Sequence, residues 1–132
     1  GGNPHCHVIL RGGKSPNYDA ASVEACEEEL QKAGLIENVM IDCSHGNSNK
    51  DHRNQKLVLE EVAEQINNGN KSIIGVMLES NLEEGNQPIP DDLSDLKYGV
   101  SITDACIDWL TTETLLREFA GSLSESLGSR AV

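Results

Sequence analysis

Arg11, His45 and Glu79 stand 34 residues apart in succession, each at or just beyond the end of a short apolar run. The runs are His7-Val-Ile-Leu-Arg11, Val39-Met-Ile-Asp-Cys-Ser-His45 and Ser72-Ile-Ile-Gly-Val-Met-Leu-Glu79. Unbroken apolar runs of this length read as strands of a parallel sheet, which are covered rather than alternating. In parallel α/β architectures, ligands bind outside the carboxyl ends of such strands. A guanidinium, an imidazole and a carboxylate at three strand ends would floor such a site. Asp104, after Gly99-Val-Ser-Ile-Thr103, adds a second carboxylate at the expected start of the last helix.

One imidazole and two carboxylates suit a divalent cation such as Mn²⁺, Fe²⁺, Co²⁺ or Zn²⁺. Arg11 precedes Gly12-Gly13-Lys14, where a planar donor fork and a close-approaching backbone suit phosphate or carboxylate. Spacing alone leaves structural uses open. Asp104 or Thr103 could cap a helix, Glu79 could pair with a cation, and Arg11 could pair with one of 22 acidic residues. Lys14, Lys50 and His52 read as solvated. His5, Cys6 and His7 could form a second metal group but read better as packing residues, and Cys43 reads as core. Gly12-Gly13-Lys14 lacks the spacing of a phosphate-binding P-loop.

The elements that must position these groups alternate. Strands are expected at about 6–11, 38–43 and 72–79. Helices are expected at about 19–33, capped by Asp19 or Ser22 and ended by Gly34, and at 51–67, with Leu57, Val58, Val62 and Ile66 on one face. A long acidic loop spans 81–99. A final helical region covers 104–127, broken near Thr111-Thr112, with a frayed tail over 122–132. The β-α-β-α-β-loop-α order implies a parallel sheet with right-handed crossovers. Three strands fit a very small doubly wound sheet or three consecutive units of a (β/α)8 barrel, which needs about 250 residues.

The 132 residues bound the chain at about one domain, with a net charge of −12. That charge excludes a basic footprint for nucleic acid and disfavours an anionic membrane surface. It leaves anionic small substrates open, since one arginine or a metal can set the local field. No apolar stretch approaches the roughly 20 residues of a membrane span. The four cysteines form no CxxC pair and read as buried free thiols in a reducing compartment, so a cytoplasmic protein is expected. The chain starts at Gly1 rather than Met, which reads as a processed end or the edge of a longer sequence.

Five stretches, in order, closely resemble the C-terminal part of the class I 3-deoxy-D-arabino-heptulosonate 7-phosphate (DAHP) synthases, the microbial type sensitive to aromatic amino acids. They are Cys6-His-Val-Ile-Leu-Arg-Gly-Gly-Lys-Ser-Pro-Asn-Tyr18, Val39-Met-Ile-Asp-Cys-Ser-His-Gly-Asn-Ser-Asn-Lys50, Ile73-Ile-Gly-Val-Met-Leu-Glu-Ser80, Glu84-Gly-Asn-Gln87 and Tyr98-Gly-Val-Ser-Ile-Thr-Asp-Ala-Cys106. The resemblance covers roughly 5–120. It implies that residues 1–132 form a partial domain, about three βα units from the C-terminal portion of a (β/α)8 TIM barrel. It implies metal-dependent condensation of phosphoenolpyruvate with erythrose 4-phosphate to DAHP and phosphate, the entry to the shikimate pathway. By motif position, Arg11 resembles the arginine that grips the phosphoenolpyruvate phosphate. His45, Glu79 and Asp104 resemble three of four metal ligands.

In the family the fourth ligand is a cysteine of the N-terminal half. The remaining phosphate-binding lysines and arginines also lie upstream. The isolated chain is therefore expected to lack a complete site and to need the missing N-terminal half of the barrel, with homo-oligomer formation in the intact enzyme. Two competing readings remain. One is a related phosphoenolpyruvate-condensing synthase or metal aldolase. The other is an inactive folded fragment that self-associates through open barrel edges.

Overall fold

The computed structural model describes residues 2, 3 and 5–128. Three short strands, β1 (Val8–Leu10), β2 (Val39–Asp42) and β3 (Ile73–Met77), form one parallel sheet in the order β1-β2-β3. Val8 pairs with Val39 and Leu10 with Ile41. Between β2 and β3, Val39 pairs with Ile73 but Met40 with Gly75, so the ladder skips Ile74. Such a bulge re-aims the residues beyond it.

The crossovers are helices α1 (Ala20–Lys32) and α2 (Gln55–Asn67). The Asp19 carboxylate caps α1, accepting from Ser22 N at 3.0 Å and Ser22 Oγ at 2.7 Å. Those bonds favour the ionised form and hold the Asp19 carboxyl below its ordinary value. Gly34, at φ +68, lies just past the end of α1, where the left-handed conformation suits glycine. The second helical segment begins differently from expectation. A 3₁₀ turn at His52–Asn54, capped by Asp51, precedes α2.

Leu57 is a further correction. It was expected on the core face of α2, yet it is 58% exposed, while Leu59 is buried. At 3.6 residues per turn, Val58, Leu59, Val62, Ala63 and Ile66 make one stripe and Leu57 falls on the opposite side.

Both helices cover the same face of the sheet. Val23 and Leu30 of α1 and the stripe of α2 enclose Val39, Ile41, Cys43 and Ile73 in one core. The other face carries Ile9, Met40, Gly75 and Met77, because side chains alternate along a strand and these residues share register. Gly75 makes room for Met40, whose Cε lies 3.1 Å from where a Cβ would stand. Ile9 remains 43% exposed there.

The last helix was expected from 104 with a break near Thr111-Thr112. Instead, α3 spans Trp109–Ser122, and the break falls at Leu123 before α4 (Ser124–Gly128). Asp108 is the cap, accepting from Thr111 N at 2.7 Å. Thr112 stays in the helix because its hydroxyl donates to the Asp108 carbonyl at 2.7 Å. Asp104 is thus not a helix start; it lies in a bend four residues before the cap. Of the tail expected to fray, residues 129–132 lie outside the described residues.

The acidic loop is tethered rather than free. Gly85 and Cys106 exchange backbone hydrogen bonds at 2.9 and 3.1 Å. Gln87 Nε2 donates to the carbonyls of Lys97 and Val100, and its Oε1 accepts from Lys97 N. Ile107 N donates to the Glu79 carbonyl at 3.0 Å, so a parallel bridge continues the sheet beyond β3. No helix among the described residues is long and apolar enough to cross a membrane.

Candidate active site

The carboxyl ends of all three strands open on one cavity of about 460 Å³. Its lining includes Arg11, His45, Lys50, His52, Glu79 and Asp104. Arg11, His45 and Glu79, singled out by spacing, and Asp104 are therefore brought together. The loops that carry Arg11 and His45 touch backbone to backbone. Gly46 N donates to the Arg11 carbonyl at 3.1 Å. A Cβ on Gly12 (φ +76) would stand 2.6 Å from Asn47 N, and one on Gly46 would stand 2.9 Å from Gly12 C. Only glycine permits that approach at Gly12.

Asn47, fully buried, ties the two strand ends together. Its Nδ2 donates to the Leu10 carbonyl at 3.0 Å and to the Asp42 carbonyl at 2.8 Å. Its Oδ1 accepts from Asn17 N at 2.8 Å, and Asn17 Oδ1 accepts from Gly12 N at 2.7 Å.

His45 itself sits at φ +46, a left-handed backbone that is uncommon for a residue with a side chain. Its carbonyl accepts from Lys50 N at 2.9 Å and Ser48 Oγ at 3.2 Å, which over-determines the strained conformation. The ring has two distinct surroundings. Nδ1 lies 2.8 Å from Asp42 Oδ2 and 2.8 Å from Ser44 Oγ. Nε2 faces Asp104 Oδ2 at 3.3 Å and Glu79 Oε1 at 3.6 Å.

Gln55 fixes Glu79 from behind. Its fully buried amide accepts from Glu79 N at 2.7 Å and donates to the Glu79 carbonyl at 3.0 Å.

His45, Glu79 and Asp104 each offer a ligand atom, all within 4.8 Å of one another, and this group does not involve His5, Cys6 or His7. The donor chemistry fits a cation. Nδ1 faces Asp42 while Nε2 faces the two carboxylates. One imidazole nitrogen and two carboxylates at this spacing are a donor set that would suit a divalent cation.

Arg11 is exposed and lines the cavity, and Lys50, exposed as expected of a solvated lysine, also lines it. His52 is also corrected. Its side chain is only 14% exposed, and Nε2 lies 2.8 Å from Glu84 Oε1, joining the acidic loop to the start of α2.

Of the thiols, Cys43 is fully buried and burial pushes it up to about 12, with Asp42 adding to the effect. Burial likewise raises Cys106, beside Glu79 and Asp104. All four cysteines are free; Cys6 is exposed and Cys26 half-buried, so the expectation of uniformly buried thiols fails for those two.

Asp42, Ser44, Asn47 and Gln55 were not singled out from the sequence. Asp42-Cys-Ser-His45 carries a signal, since a carboxylate three residues before a candidate ligand is placed to hold its ring. Nothing in the sequence distinguishes Gln55 from a solvated residue at a helix start.

The comparisons with known proteins converge on one family. The DAHP synthetase I family matches residues 1–117. The Tyr-sensitive phospho-2-dehydro-3-deoxyheptonate aldolase of Salmonella typhimurium is 59% identical over 129 residues, covering 98% of this chain and 36% of that protein. The Phe-sensitive enzyme of that name from Escherichia coli is 52% identical over 127 residues, covering 96% of this chain and 36% of that protein. The solved structure of the phospho-2-dehydro-3-deoxyheptonate aldolase from Francisella tularensis superposes with a TM-score of 0.87 at 47% identity, covering 93% of this chain and 36% of that one. The chain thus spans about a third of the length of these relatives, and over that span it belongs to the DAHP synthetase I family.

Proposed function

We propose that this chain carries part of the active site of a metal-dependent DAHP synthase, which joins phosphoenolpyruvate to erythrose 4-phosphate and releases phosphate. The observation that carries this reading is the convergence of His45 Nε2 with the Glu79 and Asp104 carboxylates beside Arg11, in a chain of this family. His45, Glu79 and Asp104 would hold a divalent cation, which when bound supplies Lewis acidity toward an aldehyde oxygen. The identity of the metal is left open among Mn²⁺, Fe²⁺, Co²⁺ and Zn²⁺.

The chain's own residues would divide the remaining work. Arg11 would grip the phosphoenolpyruvate phosphate by charge-assisted hydrogen bonds and hold it as it departs. In a protein of net charge −12, a local guanidinium at the cavity, with Lys50 on the same wall, favours an anionic substrate there. The new bond would join C3 of phosphoenolpyruvate to the aldehyde carbon of erythrose 4-phosphate. Water would add at C2, and the C2–O bond to phosphate would break.

The sheet supports a barrel over a doubly wound domain. Strand order β1-β2-β3 with α1 and α2 on one face is singly wound, whereas a doubly wound sheet reverses order to cover both faces. Parallel sheets are covered on both faces, so Ile9, Met40 and Met77 call for a partner, and the N-terminal half of a (β/α)8 barrel would provide it. The same face favours a second reading of the isolated chain, a folded but inactive piece that self-associates. In the complete enzyme a homo-oligomer is proposed, and the free thiols suit a cytoplasmic setting.

The test compares erythrose 4-phosphate-dependent consumption of phosphoenolpyruvate, with Mn²⁺ supplied, by the full-length protein bearing this sequence and by the 132-residue chain alone. Turnover only by the full-length protein supports the reading. Turnover by the chain alone overturns the partial site. Turnover with a different aldehyde in preference to erythrose 4-phosphate points to a related condensing synthase.

A further inference from the structure

The ring of His45 is held on its far side more elaborately than a ligand needs for support alone. Asp42 is fully buried at the end of β2, on the sheet face opposite the helices. Its Oδ1 accepts from both Ser44 N and Ser44 Oγ at 2.9 Å, and its Oδ2 lies 2.8 Å from His45 Nδ1. Ser44 Oγ, having given its proton to Asp42, keeps a lone pair turned toward Nδ1 at 2.8 Å. Both neighbours of Nδ1 are therefore acceptors, and Nδ1 must carry the proton. The left-handed backbone at His45 and the bonds to its carbonyl fix the direction in which the ring leaves the chain.

We propose that Asp42 and Ser44 form a positioning pair that locks His45 as the Nδ1–H tautomer and presents Nε2 as a lone pair to the cation site between Glu79 and Asp104. The inference rests on the reading that this trio holds a metal, and it assigns to two residues outside the trio the choice of which ring nitrogen binds. Without the pair, the ring prefers the opposite tautomer. An Nε2–H would donate to Asp104 at 3.3 Å and Glu79 at 3.6 Å, and it would occupy the site that a cation needs.

Asp42→Asn tests this with little change of shape. The amide oxygen can accept from Ser44 N and Oγ as Oδ1 does now. The amide NH₂ then faces Nδ1 and donates to it, which moves the ring proton to Nε2. The measurement uses the full-length protein bearing this sequence, with free Mn²⁺ followed by electron paramagnetic resonance during titration. It also uses ¹⁵N shifts of the metal-free His45 ring, recorded with the imidazole neutral.

Asp42→Asn should keep the thermal midpoint of the metal-free protein, bind Mn²⁺ about 10- to 100-fold more weakly, and show the Nε2–H tautomer. Ser44→Ala, which removes one acceptor and leaves Asp42 in place, should weaken Mn²⁺ several-fold and retain Nδ1–H. Equal Mn²⁺ affinity in parent and Asp42→Asn overturns the inference and leaves the metal reading intact. So does an unchanged tautomer. A parent that binds no Mn²⁺ overturns the metal reading and this inference together. If Asp42→Asn fails to fold, Ser44→Ala and the parent's tautomer decide the matter, and an Nε2–H parent ring refutes the proposal.

Discussion

His45 and Asp104 meet across 3.3 Å, yet the chain holds them by opposite means. The His45 side chain is 22% exposed and pinned by Asp42 and Ser44, on a loop sutured to its neighbour by Asn47 and by the Gly12–Gly46 contact. The Asp104 side chain is 69% exposed, and among the described residues its ion-pair partner is His45 itself. Its loop is held through backbone bonds of its neighbours, such as Asn86 Nδ2 to the Thr103 carbonyl at 2.9 Å. Glu79 lies between the two, with a backbone fixed by Gln55 and a carboxylate that is still partly open. One wall of the cavity is organised before any ligand arrives. The other has its backbone position set while its carboxylate stands open to solvent.

The largest effect should come from the organised wall. In the full-length protein, His45→Ala should abolish stoichiometric Mn²⁺ binding and metal-dependent turnover, since it removes the imidazole of the proposed ligand set and leaves the Glu79 and Asp104 carboxylates without it. Asp104→Ala should weaken Mn²⁺ by a smaller factor and leave measurable binding, because His45 and Glu79 keep their geometry. Near-normal turnover of His45→Ala removes the ligand assignment. Equal losses in both variants erase the contrast between the walls.

Arg11→Ala should come next. Its backbone carbonyl is part of the sutured wall while the residue is exposed at the cavity, so the fold should persist. Use of phosphoenolpyruvate should fall about a hundredfold in kcat/KM, the scale of losing one charged donor to a departing oxyanion. Kinetics unchanged from the parent place Arg11 outside the substrate site.

Gln55→Leu probes the intermediate case. Leucine fills the volume but leaves the Glu79 N–H buried without an acceptor, a cost of about 1–3 kcal/mol. Urea unfolding should show that loss, and Mn²⁺ affinity should fall with it as Glu79 drifts. A variant with parental stability and affinity means that Ile107, which also bonds the Glu79 carbonyl, holds the strand end unaided.

The two walls also differed in how readily the sequence revealed them. His45 and Glu79 were legible because each follows an apolar run, and a polar side chain at the end of a buried strand has nowhere to point but outward. The helices were legible in place but less so in orientation. Leu57 is as apolar as Leu59, and only the arc of the whole stripe separates them. Asp104 was recognisable as a candidate ligand but was misplaced as a helix start. Cys106 and Ile107 are drawn into bridges with Gly85 and Ser80, and the helix begins only after Asp108, a tertiary choice no local pattern encodes. The Thr111-Thr112 break failed for a local reason, since the Thr112 hydroxyl satisfies the carbonyl four residues back. Gln55 was invisible because its role depends on a strand 24 residues away.

The finest comparison comes where the same substitution is made on both sides, with Gly85→Ala expected to have the smallest effect of all. Gly12 and Gly85 both sit at positive φ, +76 and +89, so alanine at either position bears the left-handed strain of about 1–2 kcal/mol. At Gly85 nothing lies within 4 Å of the added Cβ, and strain is the whole cost. At Gly12 the Cβ would meet Asn47 N and Gly46 C at 2.6 Å, both backbone atoms of the opposite loop. They cannot rotate aside, so the loops must part, which adds an overpacking cost of about 1–3 kcal/mol. Gly12→Ala should therefore lower the urea midpoint clearly more than Gly85→Ala. It should also weaken Mn²⁺, because the shift passes through Gly46 to its neighbour His45. Equal midpoints would mean that the contact between the first two strand ends yields readily, and that the order of the His45 wall comes from the Asp42–Ser44–His45 bonds alone.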